Sequence, residues 1–378
     1  MKIAFIITST GWGGLEMNTL KLAKLLAQQH FDISLVTQEN STIYSKGKEL
    51  FTSVKLLKKK RKFLDLKNAK ELSTFLKTEK ITSLMVFDNK DLDLVSWTKR
   101  CFYSKLVVFY QQHMQIGINK KDFIHTFRFQ AIDHWISPLN YLKDEVTQRT
   151  KFDRNKVHVI PIGLDIQKFV PKKHSKEQAC QQLGFTPKTP LLGIIGRISE
   201  KKGQLFVLEA FLKLRSQGVM LELLIFGSPT VNDPECVNYY QQIVETIKQN
   251  KAEDVVHLVE HQEDVSPFYG AVDIFALASH SETYGMVTIE AMLSKITIIA
   301  TQSGGTSELL AFGKLGALYA YNNQTAFCEQ VLWTLTNQEE VQNRAEVAQK
   351  IACEQYSQEN EVQQIKTLLL NNTVHAVN

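Results

Sequence analysis

Compact apolar runs recur along the chain, each followed by a longer stretch in which apolar positions fall three or four residues apart. A short apolar run bounded by turn-formers reads as a buried strand, and the longer spacing reads as a helix with one apolar face. In the first half the runs are Ile3–Thr8, Ile33–Thr37, Ser83–Phe87, Leu106–Tyr110, His134–Ser137 and Val157–Ile160. In the second half they are Leu191–Ile195, Leu221–Phe226, Val255–Leu258, Ile274–Leu277 and Ile296–Ala300. Between the first two runs, Leu15, Thr19, Leu22, Ala23 and Leu26 share one helical face, as a helix lying on a sheet requires. Strands and helices in alternation predict an α/β chain whose doubly wound parallel sheets carry helices on both faces.

The pattern is interrupted between Pro161 and Lys173, where Pro161-Ile-Gly-Leu-Asp165 and Val170-Pro-Lys-Lys173 supply breakers and charge. That break predicts two domains, and a chain of 378 residues with 44% hydrophobic content is too long for one comfortable core. No apolar stretch approaches the ~20 residues of a membrane span. Met1-Lys-Ile-Ala-Phe-Ile-Ile-Thr8 has too short an apolar run for an export signal and no small-residue cleavage site after it, so it reads as a first strand and the chain as cytoplasmic.

Net charge is only +5, but residues 1–170 hold 28 Lys and Arg against 16 Asp and Glu. The densest basic run is Lys55-Leu-Leu-Lys-Lys-Lys-Arg-Lys-Phe-Leu64, with Lys58, Lys59, Lys60, Arg61 and Lys62 at its centre. Cations interleaved with apolar residues suit an anionic membrane surface, at about 1 kcal/mol per cation. A solvated basic loop is the alternative. Nucleic acid is disfavoured, because no reading module is present and the other half of the chain is acidic. The five cysteines stand singly, with no metal-ligand spacing and no disulfide framework.

Candidate chemistry sits just after the strands. Glu282 and Glu290 flank Gly285 in Ser279-His-Ser-Glu-Thr-Tyr-Gly-Met-Val-Thr-Ile-Glu-Ala-Met292. A turn at Gly285 followed by a helix places the first glutamate before the helix and the second about one turn inside it. Both then border a helix N-terminus, whose free N–H groups and positive dipole suit an anion while the carboxylates take hydroxyls. Gly196-Arg197 and Lys202-Gly203 follow another strand, and Gly304-Gly305-Thr306 a third. Ligand crevices of open α/β sheets lie beyond the carboxyl ends of the strands, so these groups are expected to converge. Arginine and lysine beside hydroxyl-binding acids suggest a sugar nucleotide.

These residues, with Gly13-Gly14 and the Pro161-Ile-Gly-Leu-Asp-Ile-Gln-Lys-Phe169 linker, resemble in order the retaining glycosyltransferases of family 4, the glycosyl transferases group 1. The resemblance covers nearly the whole chain. It implies the GT-B fold, in which two Rossmann-like domains face each other across a cleft. Residues 1–168 would be an acceptor-binding domain and 169–355 a nucleotide-sugar domain, with a helix in 356–378 returning to the first.

By the same resemblance, a hexosyl unit would pass from a nucleoside diphosphate sugar, UDP favoured, to a hydroxyl of a glycan or lipid-linked acceptor. The anomeric configuration would be retained, with neither metal nor cofactor. Envelope polysaccharide or lipopolysaccharide assembly is the expected setting, and an inner membrane face the expected place. Arg197 and Lys202 would stabilise the departing diphosphate, Glu290 bind the ribose and Glu282 the donor sugar. Gly304, Gly305 and Thr306 would donate hydrogen bonds, and Gly13 and Gly14 would face the donor phosphates. His113, just after a strand, would contact the donor sugar. Tyr284, Gly285, Met286 and Val287 complete the expected donor site, although Tyr284 stands where the family often has phenylalanine.

Asp91-Leu-Asp93 has metal-binding spacing but reads as solvated or capping here. Zinc spacings, a Gly-x-Ser-x-Gly elbow and a phosphate-binding Gly-Lys-Ser/Thr motif are all missing. A sugar-nucleotide epimerase or hydrolase of the same fold, and a two-lobed binder without chemistry, remain as alternatives.

Overall fold

A computed structural model of the protein describes residues 1–58, 64–170, 175–230 and 232–373. Of the basic run, Lys58 is described and exposed, while Lys59, Lys60, Arg61 and Lys62 lie outside the described residues. The chain divides into two compact units. The first combines Met1–Gly163 with the segment from Gln358 onward, and the second is Leu164–Ser357. Residues 164–168 fall in the second unit because the Leu164 N–H donates to the Tyr356 carbonyl at 2.8 Å and Leu164 bridges Ser357.

The first unit holds β1 (Lys2–Ile6), β2 (Asp32–Gln38), β3 (Ser53–Leu57), β4 (Ser83–Val86), β5 (Val107–Gln111), β6 (His134–Ser137) and β7 (Val157–Val159). They form one parallel sheet in the order β3-β2-β1-β4-β5-β6-β7, with Ala4 opposite Ser34 on one side and Leu84 on the other. The second unit holds β8 (Leu191–Ile195), β9 (Glu222–Phe226), β10 (Val256–Val259), β11 (Ile274–Leu277), β12 (Thr297–Thr301) and β13 (Ala317–Tyr319). Its parallel sheet runs β10-β9-β8-β11-β12-β13. Both units are Rossmann-like α/β sheets. The order reverses between β1 and β4 in one and between β8 and β11 in the other. At such a point the connections leave toward opposite faces and open a crevice.

Two strands escape the sequence pattern. β3 is an edge strand carrying Lys55, and β13 is three residues long. Neither makes a run of buried apolar residues.

In the first unit the helix Gly14–Gln28 lays Leu22, Ala23 and Leu26 on the sheet, beside Val362, Ile365 and Leu369 of the helix Gln358–Thr373. The opposite face of the sheet is covered by Ala69, Leu72 and Leu76 of the helix Leu66–Thr78. Each such aliphatic side chain contributes about 1.5–3 kcal/mol by leaving water. In the second unit the helix Gln204–Ser216 buries Val207, Leu208, Phe211 and Leu214 against β8 and β9. Among the described residues no helix is long and apolar enough to cross a membrane.

Candidate functional site

The crevice of the second unit opens where β8 and β11 end. β8 runs into Gly196, and β9 ends beside it at Gly227, whose φ is +151°. A Cβ on Gly227 would sit 1.9 Å from the Gly196 carbonyl oxygen, so only glycine lets the two strand ends approach this closely. The contact fixes where Arg197 leaves the sheet. Behind it, the buried Gln204 donates through Nε2 to the Arg197 carbonyl at 2.9 Å, holding the loop from the helix side. The Arg197 side chain is exposed and makes no ion pair with a described residue. A cavity of about 1,050 Å³ opens here, lined by Gly196, Arg197, Lys202, Asp233, Tyr239 and Tyr321 among others.

Lys202 reaches across the crevice, its Nζ 2.5 Å from Glu282 Oε1. The same oxygen accepts the Ser279 hydroxyl at 2.8 Å. The two sequence-predicted groups therefore meet, as the switch between β8 and β11 requires. Both are partly exposed, which limits the ion pair to about 0–1 kcal/mol of stability. A cation and acid held mainly by each other are free to exchange partners when an anion or hydroxyl enters.

Beyond β12, Gly304 has φ +55°, and a Cβ there would lie 2.0 Å from the Glu282 carbonyl oxygen. Gly305 N–H donates to that same oxygen at 2.9 Å. The Gly-Gly turn thus clamps the Glu282 peptide. The backbone donor expected of Gly305 is therefore engaged, while the Thr306 hydroxyl has no partner among the described residues. The Gly305 N–H is spent on Glu282 and the Thr306 N–H on Ser303, while the Thr306 side chain is fully buried.

Free donors lie instead at the helix Met286–Leu293, whose cap Gly285 has φ +88° and no capping side chain. The N–H groups of Met286 and Val287 donate to no described group, so this helix end presents bare positive dipole. Tyr284 is buried beneath it. Further along, Glu290 is half-buried, and its Oε2 accepts the Tyr269 hydroxyl at 2.6 Å. Burial pushes its carboxyl above the usual carboxylate range, and the Tyr269 hydrogen bond works against that rise.

In the first unit, the loops after β1 and β4 meet through Asp91. This carboxylate accepts the Thr8 N–H at 2.9 Å and also the Thr8 hydroxyl. Asp91 is fully buried and Asp93 is paired with Arg128 at 2.8 Å, so Asp91 is neither solvated nor a cap. It anchors the end of β1. The loop then reaches Gly13 and Gly14. Position Gly14 is open, whereas Glu16 Oε2 lies 3.7 Å from where a Cβ on Gly13 would stand. The helix N-terminus therefore has its own acid folded toward it.

His113 follows β5, half-buried, with its Nε2 buried and unpartnered. Burial first, and then the Lys21 charge, lower its pKa to about 4, so the ring is neutral near pH 7. Lys21 itself pairs with the buried Glu361 at 2.8 Å, and Glu361 also accepts the Gly163 N–H at 2.9 Å.

Gly227, Gln204, Ser279, Tyr269 and Glu361 were not singled out by the sequence. Gly227 alone left a trace, as a glycine ending a strand. Tyr269 sits in Ser266-Pro-Phe-Tyr-Gly-Ala271, which reads as core. Among the described residues, no cluster of three His, Cys, Asp or Glu side chains could hold a metal ion.

Two family models match the chain. Glycosyltransferase Family 4 covers residues 12–168, and Glycosyl transferases group 1 covers residues 175–351. The D-inositol 3-phosphate glycosyltransferase of Corynebacterium urealyticum is 28% identical over 216 residues, 56% of this chain and 50% of that protein. The lipopolysaccharide 1,2-N-acetylglucosaminetransferase of Salmonella typhimurium is 26% identical over 218 residues, 57% of this chain and 56% of its own. The chain thus spans about half the length of these curated relatives. A glycosyltransferase from Rickettsia africae shares its fold with a TM-score of 0.86 at 19% identity, over 98% of this chain and 99% of its own. HepE of Anabaena, crystallised with UDP and glucose, gives 0.78 at 19% identity over the same shares.

Proposed function

Because the chain belongs to the family 4 glycosyltransferases, we propose that it moves a hexosyl unit from a UDP-sugar to a hydroxyl of a glycan or lipid-linked acceptor. The observation that carries this reading is the meeting of charge and free donors at the switch point of the second unit. Lys202 pairs with Glu282, the uncapped N–H groups of Met286 and Val287 follow a few residues on with Glu290 in the same helix, and Arg197 lines with Lys202 the cavity at the end of β8. Uridine is favoured because HepE, of the same fold, was crystallised with UDP and with UDP-glucose.

In the proposed reaction the bond between the anomeric carbon and the diphosphate oxygen breaks. Arg197, Lys202 and the helix end take up the charge that develops on the leaving group, without a metal. The acceptor hydroxyl attacks on the same face, and its proton passes to the departing phosphate oxygen, so configuration is retained. Glu290 holds the ribose and Glu282 holds the donor sugar, and His113, neutral near pH 7, does not act as a base.

An envelope glycan is the favoured acceptor, since a lipopolysaccharide sugar transferase is among the relatives. The first unit also supports a peripheral seat on an anionic cytoplasmic membrane face. Phe123 is 82% exposed, with Met114, Ile118 and Ile124 exposed nearby and Lys120 and Lys121 between them.

A thermal-shift screen against UDP, GDP, ADP and their sugars tests the donor. A ligand at a hundred times its Kd adds about 2.7 kcal/mol and a visible rise in Tm. The rise is expected with UDP and is expected to vanish in Arg197→Ala and Glu290→Ala. No shift with any nucleotide would overturn the reading.

A further inference from the structure

Glu290 reaches its place with one oxygen already engaged. Its Oε2 accepts the Tyr269 hydroxyl at 2.6 Å, whereas its Oε1 makes no hydrogen bond with a described residue, and the side chain is only half-buried. Tyr269 is 3% exposed and cannot itself meet a ligand in the crevice. Its ring is wedged edge-on by Phe169 at 5.8 Å and Phe268 at 5.1 Å, with Phe275 at 6.3 Å. Three rings on three elements leave the phenol one orientation, and the hydroxyl transmits it to the carboxylate.

From this geometry we propose that Tyr269 is a positioning residue, which holds Glu290 by Oε2 and presents Oε1 to the ribose hydroxyls of the donor. The inference rests on the reading of Glu290 as the ribose-binding acid. A vicinal diol donates two hydrogen bonds in a fixed fork, and a glutamate side chain free to turn about its last torsion meets that fork only part of the time. Locking one oxygen removes the search and leaves the other aimed. A hydrogen bond to an ionised acceptor is about twice as strong as a neutral one, which makes a buried phenol an effective lock.

The arrangement also works against protonation of the acid. Burial raises the Glu290 pKa, while two groups facing it oppose the rise: the Tyr269 hydroxyl, and the charge of Lys168 from the helix Ile166–Phe169. Lys168 is in turn 3.9 Å from Asp264, which dilutes its effect. Without the phenol hydroxyl the Glu290 pKa climbs further. Binding that needs the carboxylate is then lost at a higher pH as the solution is acidified.

The test compares UDP with its 2′,3′-dideoxy analogue by calorimetry on the whole protein, from pH 5 to pH 8. Wild type is expected to favour UDP at least tenfold. Tyr269→Phe, which keeps the ring and its packing, is expected to lose most of that preference. It should bind the dideoxy analogue as wild type does, and the acid limb of its UDP binding should move upward. A merely structural tyrosine would weaken both ligands alike. A wild-type preference in Tyr269→Phe with an unmoved acid limb overturns the proposal. If Glu290→Ala also keeps the preference, the ribose role of Glu290 falls and the proposal with it. If Glu290→Ala loses the preference while Tyr269→Phe keeps it, only the positioning role falls.

Discussion

Replacing Gly304 by alanine tests whether the Gly-Gly turn works as a clamp on Glu282. The added Cβ would stand 2.0 Å from the Glu282 carbonyl oxygen and 3.1 Å from its nitrogen, so either the turn or the glutamate peptide must move. A matched control exists in the same unit. Gly218 also has positive φ, +84°, but nothing lies within 4 Å of its Cβ position. Both substitutions incur the left-handed strain of an L-residue, about 1–2 kcal/mol. Only Gly304→Ala also threatens the 2.9 Å hydrogen bond from Gly305 to Glu282. That bond is worth about 0.5–1.5 kcal/mol more. At roughly 2–4 °C per kcal/mol for a unit of this size, Gly218→Ala should lower Tm by a few degrees and Gly304→Ala by about 1–6 °C beyond that. Lys202 is tied to the displaced carboxylate, so Gly304→Ala should also weaken UDP binding by about tenfold, whereas Gly218→Ala should leave it unchanged. Calorimetric unfolding and UDP titration read both quantities. If the two variants melt together and bind UDP equally, the clamp does not exist.

Two further outcomes are expected. His113 has a folded pKa of about 4, below the ~6.5 of an unfolded chain, so its contribution to stability is complete above pH 6.5 and is lost as pH falls toward 4. Tm of wild type relative to His113→Gln should therefore be flat above pH 7 and decline below 6.5, and an NMR titration of the ring near 6.5 would contradict this. For the first unit, co-sedimentation with phosphatidylglycerol vesicles should exceed that with phosphatidylcholine and weaken as salt rises. Phe123→Ser with Ile124→Ser should reduce it at least tenfold, each buried apolar side chain being worth about 1.5–3 kcal/mol, and unchanged binding would remove this surface from the membrane reading.

Much of the architecture is legible in the sequence because a parallel sheet buried on both faces writes each strand as a nearly unbroken apolar run. β1 and β8 are of this kind, with Ile3 to Ile6 and Leu191 to Ile194 almost wholly buried. β3 is not, since Lys55 and its edge position give it a half-exposed, mixed pattern. At the site, charged and acidic residues just after strands were visible as candidates because the switch-point rule sends them to one crevice. What joins them was invisible. The close approaches of Gly227 to Gly196 and of Gly304 to Glu282 are contacts between distant segments, and a lone glycine does not announce what it touches. Nor could the sequence show that the Gly305 and Thr306 N–H groups are spent inside the protein. Tyr269 is core except for one hydroxyl, and nothing in its apolar surroundings along the chain sets it apart.

The helix Gln358–Thr373 completes the core of the unit that begins at Met1, although the whole of Leu164–Ser357 lies between them. On a ribosome this sets an order of events. The second unit is continuous and can fold once it emerges. The first must hold its sheet together with one face short of Val362, Ile365 and Leu369, for roughly 10 to 40 s at the usual 5–20 residues per second. Of the two units, the one begun first is thus finished last, and through that interval its uncovered face is open to aggregation and to chaperones.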